Sequence, residues 1–317
     1  MALPSEFPLS AFQVRTELGI ASNVPISMLS EAVRTLAGQP TGDVKFSELL
    51  GKSNTTPLFD VLVVAGGGGG GGRDGFAGGG GGGGGVIYTS DYSVSSGTTY
   101  NISVGNGGTP TGAGVDSTSG QNSSFASIIT YGGGAGVFGN TGGINGGSGG
   151  GTSLAEAPGG LGTSGQGNNG AAGTGFAGGG GGGATSAASF IEYGTTLGGN
   201  GGNGLVTSIS GTSLTYGGGG GGGGYGNSGG AGGGSGGSGA GAGSAAGTPF
   251  ANRGGGGGGA PGQEGNILGS NGAAGVVIIS YPQQYSDPIS TSGSPTRTIA
   301  NGRKIYKWTS GSGSVRF

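Results

Sequence analysis

Three unbroken glycine runs, 66–72, 78–85 and 217–224, constrain this chain more than any other feature. Ordering a residue costs roughly 1–2 kcal/mol of backbone entropy, and glycine brings no side chain to bury in return. Of 317 residues, 95 are Gly, far above the usual share of about 7%. Collagen needs Gly strictly at every third position, and the continuous runs exclude it. What remains is disorder, or a fold in which the backbone itself is the packing surface. Two features favour order. The runs alternate with β-rich words: Phe59–Ala65, Val86–Val94, Tyr100–Val104, Phe125–Tyr131, Leu205–Tyr216 and Val276–Tyr281. Charge is also scarce, with no Lys or Arg between Asp74 and Asn252, whereas disordered segments usually carry high net charge.

A glycine run has an ordered conformation open to it. In polyproline II it rises about 3.1 Å per residue with three residues per turn, so eight residues span roughly 25 Å. Without Cβ atoms such helices pack closely. Their amides then bond neighbouring segments, helped by Cα–H···O contacts of about 0.5–1 kcal/mol each. Only an array of many helices outweighs the entropy, and the number of glycine segments permits one.

Three segments follow. Residues 1–53 form a small helical N-terminal module. Its near-repeated words run Val14–Gly19 and Val33–Gly38, and Phe46–Gly51 repeats the idea. Ser10 with Gln13 fits a capping box, and Gly19 and Gly38 sit where a left-handed residue closes a helix. So small a module buries little core alone, which points to docking or trimerisation. Residues 54–281 form a glycine-rich sandwich body. Its opening and closing runs, Val61–Val64 and Val276–Ile279, are continuously apolar, as strands buried on both faces are; they are expected in one sheet. Residues 282–317 form a short β tail through Arg303–Trp308 and Val315–Phe317. The tail carries one acid and five bases against seven acids and two bases in the body, so it presents either a docking surface or a solvated face. The fold class expected is mostly β with polyglycine helices.

Several functions are disfavoured. The chain has no Cys and no His, which removes disulfides, thiol catalysis and the common zinc sites. Met1–Ser10 lacks the basic and apolar regions of a secretory signal. No stretch of about 18 apolar residues exists to span a membrane. A net charge of −2 offers nucleic acid no general attraction. Gly51-Lys52-Ser53 is not a phosphate-binding loop, because Phe46 stands where that motif needs Gly. The body's acids are dispersed, so paired-carboxylate glycoside hydrolysis is the minority expectation. No cofactor, metal or enzymatic activity is expected.

The residues that interrupt glycine are the candidate binding residues. They are Arg73, Asp74 and Phe76; Phe138 and Asn140; Tyr225 and Asn227; and Phe250, Asn252 and Arg253. Phe176 and the Phe190–Tyr193 word interrupt glycine likewise. Exposed aromatics beside Asn, Ser and Arg combine rigid apolar area with adaptable hydrogen bonds, and loops on a rigid scaffold commonly carry function. Each aromatic has an alternative role as a plug closing the end of the glycine stack. Arg73 and Arg253 are the body's only cations. A pair of such loops could hold an acidic or hydroxyl-rich glycan or a porin loop.

The ordered words VLVVAGGGGGGG, GGGVIYTSDYSVSSGTTYNISVGNGG, FASIITYGGG, LTYGGGGGGGG and GAAGVVIISYP resemble the glycine-rich domain of phage tail-fibre proteins. The phrase ISMLSEAVRTLAG…FSELLGKS resembles the leading module of phage tail and baseplate-associated proteins. The whole is also similar to T-even-type fibre-tip adhesins, from which the long β words and the N-terminus differ. The resemblance implies a virion tail component made in the host cytoplasm. It implies attachment to tail or baseplate proteins through residues 1–53, and a host surface glycan or outer-membrane protein as receptor. A homotrimer and a purely structural spacer role stay open; an ice-binding surface is disfavoured by the N-terminal module.

Overall fold

The apolar words form strands because they alternate between two cores. The computed structural model describes residues 13–14, 17–18, 31–38, 44, 58–72, 76–110, 117–139, 142–154, 157–174, 176–189, 191, 194–225, 247–262 and 267–317. Among these, β1 (Leu58–Val64), β2 (Val86–Ser93), β8 (Val276–Pro282), β10 (Thr296–Ala300) and β11 (Arg303–Trp308) make one antiparallel sheet, ordered β10-β11-β8-β1-β2. A second sheet runs β5-β4-β3-β12-β9, from β5 (Ile128–Thr130), β4 (Ser123–Phe125), β3 (Thr99–Val104), β12 (Gly311–Arg316) and β9 (Ser290–Ser292). A hairpin of β6 (Leu205–Thr207) and β7 (Leu214–Tyr216) stands apart.

β1 and β8 pair directly, with Val61 opposite Ile279 and Val64 opposite Val276, as their shared character predicted. Their odd and even positions serve different cores. Phe59, Val61, Val63, Val277, Ile279 and Tyr281 face the second sheet and pack with Phe125, Trp308 and Val315. Leu62, Val64, Val276 and Ile278 point the other way and pack under Ile209 and Tyr216 of the hairpin. That double burial explains why neither run alternates with polar residues. The molecule is mostly β, as expected. The Phe125–Tyr131 word is two strands rather than one, because Ala126 turns the chain at φ 51°.

Residues 282–317 are β as expected, and their strands enter both sheets. β11 lies against β8, and β12 lies between β3 and β9. Trp308 is fully buried and its Nε1 donates to the Ser292 carbonyl at 2.9 Å. The excess of basic residues is largely spent internally: Arg303 pairs with Asp60 at 2.9 Å, and Arg297 and Lys304 share Asp287 at 3.1 and 2.9 Å.

Away from the sheets the glycine runs form a lattice. Segment 78–85 shows its rule. Gly78, Gly81 and Gly84 donate to Ala260, Gly257 and Gly254; Gly79, Gly82 and Gly85 donate to Val137, Gly134 and Tyr131; Gly80 and Gly83 donate to Gly179 and Gly182. Its carbonyls accept from 65–71, 148–151 and 220–223 in the same rhythm. Every third residue thus meets the same neighbour, which is the repeat of a three-residue turn and not of a two-residue pleat. The run bonds six neighbours, so its glycines need no water. They also tolerate no side chain: a Cβ on Gly80, Gly81 or Gly82 would land on the carbonyl oxygen of Gly220, Gly68 or Ser148 in turn.

At the N-terminus, α1 (Glu31–Ala37) buries Val33, Leu36 and Ala37 with Val14 and Val44. Gly38 closes it at φ 73°, the left-handed terminus expected there. Ser10, Gly19 and the Phe46–Gly51 word lie outside the described residues.

Candidate functional site

The lattice has two ends, and the ladder tells them apart. Ala65, Gly85, Gly217 and Gly275 adjoin strands, and Gly254 follows Arg253, whose carbonyl accepts from Gly217, so they mark the sheet end. Gly84 bonds Gly254 there, while Gly78 bonds Ala260 six residues away, roughly 19 Å at 3.1 Å per residue. The second level is the distal end.

Three aromatics gather at the distal end. The amide of Gly178 donates to Gly223, that of Gly223 to Gly78, and that of Gly78 to Ala260, at 2.7–2.9 Å. Phe76 lies two residues before Gly78, Phe176 two before Gly178, and Tyr225 two after Gly223. One set of bonded glycines therefore fixes the starting points of all three. Phe176 and Tyr225 meet edge to face with ring centroids 6.0 Å apart. They remain 60% and 51% exposed, and Phe76 is 44% exposed. The Tyr225 amide donates to Thr196 at 2.9 Å, which brings the exposed Leu197 beside it. Rings this exposed do not close the end of the stack as buried plugs would.

Phe138 reaches the same end but is half-buried; the carbonyl before it accepts from Gly79 and from Ser153 Oγ at 3.3 and 3.1 Å. Arg73, Asp74, Asn140 and Asn227 lie outside the described residues, as does most of the Phe190–Tyr193 word.

Phe250, Asn252 and Arg253 are elsewhere. After the long connection beyond Tyr225 the chain returns to the sheet end, where the Arg253 carbonyl accepts from Gly217 at 2.8 Å. Asn252 turns the chain at φ 55°, and the Arg253 guanidinium lies 4.7 Å over the exposed Phe250 ring. Such a pair contributes about 0.5–1 kcal/mol at an exposed site. The described candidate residues are thus divided between the two ends of the lattice.

Phe176, which interrupts glycine as the candidate aromatics do, belongs to a repeated word. Gly75-Phe76-Ala77-Gly78 and Gly175-Phe176-Ala177-Gly178 are the same word at the start of two glycine runs. The runs lie parallel, since Gly80 and Gly83 bond Gly179 and Gly182 in ascending order. Ala77 and Ala177 are both fully buried while the preceding Phe is exposed.

No curated protein matches the chain. A model of the glycine-rich domain matches residues 53–282, the strand-bracketed lattice described above, and on that match the chain belongs to the glycine-rich domain family.

Proposed function

We propose that this chain is a bacteriophage tail-fibre or tail-tip adhesin that recognises its host through the distal end of the glycine lattice. The carrying observation is the group of exposed rings, Phe76, Phe176 and Tyr225, that flank three glycines bonded in series, Gly178 to Gly223 to Gly78. A lattice without side chains discriminates nothing; only what interrupts it can. Binding energy concentrates in a few aromatics and Arg, and Arg73 stands three positions before Phe76 in sequence. The receptor is a host surface glycan or an outer-membrane protein. The role needs no catalysis, cofactor or nucleic acid. Residues 1–53, with their resemblance to tail modules, attach the chain to tail or baseplate proteins, and trimerisation there would multiply weak contacts.

Immunogold labelling of purified phage particles with an antibody to this chain tests the proposal. Label at the tip of tail or fibre is expected. Particles that lack the chain, or carry it in the capsid, overturn it.

A further inference from the structure

Asp60 is an anomaly in the sequence, a carboxylate inside the apolar strand Leu58–Val64. It projects to the hairpin side of the first sheet, the side of Leu62 and Val64. The hairpin covers the apolar part of that side and leaves a polar margin open. There Arg303 Nη2 pairs with Asp60 at 2.9 Å and donates to the Ser280 carbonyl at 2.8 Å, while its Nε donates to Ser280 Oγ at 2.7 Å. Tyr88, 44% exposed on the edge strand, lines the same margin as Asp60. Burial, and then the charge of Asp60, push its phenol above the ordinary value, so it stays a neutral hydroxyl.

The margin is the wall of a cleft of about 140 Å³. Opposite lie Thr207 at the end of β6, Ser208 and Ile209 of the β6–β7 turn and Asn301 of the β10–β11 turn. The two turns are tied together, with Asn301 Nδ2 donating to the Gly211 carbonyl at 3.3 Å. Asn301 and Gly211 both hold left-handed backbone, at φ 52° and 91°, so both walls are shaped in advance.

Volume and charge narrow the ligand. Drug-sized ligands fill clefts of roughly 300–1,000 Å³, so this one admits a single small ring. Arg303 and Asp60 neutralise each other, so an anion meets the carboxylate and a cation meets the guanidinium. A polyhydroxyl compound uses both groups: the carboxylate accepts from one hydroxyl while the guanidinium donates to its neighbour. Ile209 and Ile305 offer an apolar floor, and Tyr88 an aromatic side, to the C–H face of such a ring. We propose that this cleft is a subsite for one neutral sugar residue, its adjacent hydroxyls held by Asp60 and Arg303 and its ring against Tyr88. It lies beside the sheets and does not depend on the distal aromatics.

Ligand-observed NMR titration of the full chain tests it, using glucose, galactose, mannose and N-acetylglucosamine as probes and inorganic phosphate and N-acetylneuraminic acid as charged controls. Saturable binding of at least one neutral sugar is expected. Tyr88→Ala should weaken it at least about fivefold, and Ser208→Trp, at the exposed lip of the cleft, should block it. Leu161→Ala, exposed and outside both the cleft and the distal group, should leave it unchanged. Both cleft residues are exposed, and unchanged melting of each variant is checked first; with two independent variants, one failed fold does not stop the test. Absence of saturable binding by every neutral sugar, equal binding by both cleft variants, or tighter binding of phosphate overturns the proposal.

Discussion

Replacing one interior glycine by alanine tests the lattice most sharply. Gly81 donates to Gly257 and accepts from Gly220, both at 2.8 Å, and a new Cβ would land on the carbonyl of Gly68. Restoring ordinary contact requires segments 65–71 and 78–85 to separate by roughly 1 Å. The bonds joining them are Ala65 to Gly85, Gly68 to Gly82 and Gly71 to Gly79, at 2.8–3.0 Å. Buried bonds are worth about 1 kcal/mol each net, so losing this set costs about 3 kcal/mol. Gly142 is the control. A Cβ there meets nothing nearer than 3.7 Å, and its backbone is outside the left-handed region. Gly142→Ala therefore restricts only the unfolded chain and should stabilise by about 0.4–1 kcal/mol. Equilibrium denaturation of parent, Gly81→Ala and Gly142→Ala measures both differences. If Gly81→Ala unfolds within about 0.5 kcal/mol of Gly142→Ala, close packing does not explain the glycine.

Further outcomes follow from other parts of the molecule. Burial raises the Asp287 carboxyl, but hydrogen bonds from Lys304 and Arg297 outweigh it and hold the carboxyl below its ordinary value. Its stabilisation is therefore present above the unfolded pKa, about 3.9, and is lost as pH falls through the lower folded value. Because the pairs are half exposed the effect is at most about 1 kcal/mol; Asp287→Asn should lower stability at pH 7 and converge with the parent in acid, as denaturant titration across pH 2–7 would report. Deleting residues 1–53 should leave a folded body, since among the described residues both sheets are built from strands that begin at Leu58 or later, yet one that no longer joins particles; incorporation of the truncated chain would place the anchor elsewhere. Truncating Trp308, fully buried between the sheets, to Ala should cost about 3–5 kcal/mol by calorimetry or denaturant melting.

The pairing of β1 with β8 was legible because Val61–Val64 and Val276–Ile279 are apolar at every position, and only a sheet covered on both sides hides such runs. The three-residue lattice was legible for the same kind of reason, since an uninterrupted glycine run has no other packing surface. Other elements left less trace. β12 is expected from its residues only over Val315–Phe317 but begins at Gly311; its Gly and Ser positions form a strand by pairing with β3 and β9, and a Cβ on Gly313 would meet Trp308 Nε1 at 2.8 Å. The distal group was half legible. The interrupting aromatics announce themselves, but which end of the lattice each reaches depends on how far the chain travels back before its next run. That return separates Phe250 and Arg253 from Tyr225, and nothing in their residue types records it. Asp60 was visible as a dispersed acid, but its partner Arg303 stands 243 positions later in the chain (303 minus 60) and only the sheet brings them together.

Adsorption to host cells by matched double variants tests the central claim most directly. Phe176→Ala with Tyr225→Ala strips the distal end, and Phe250→Ala with Arg253→Ala strips the sheet end. The rings of the first pair are half exposed or more, so both proteins should melt like the parent. The account predicts that particles carrying the distal variant adsorb at least tenfold more slowly, as expected when about 1.4 kcal/mol or more of binding energy is removed, while the sheet-end variant adsorbs normally. Normal adsorption by the folded distal variant would contradict it and leave the glycine body a spacer.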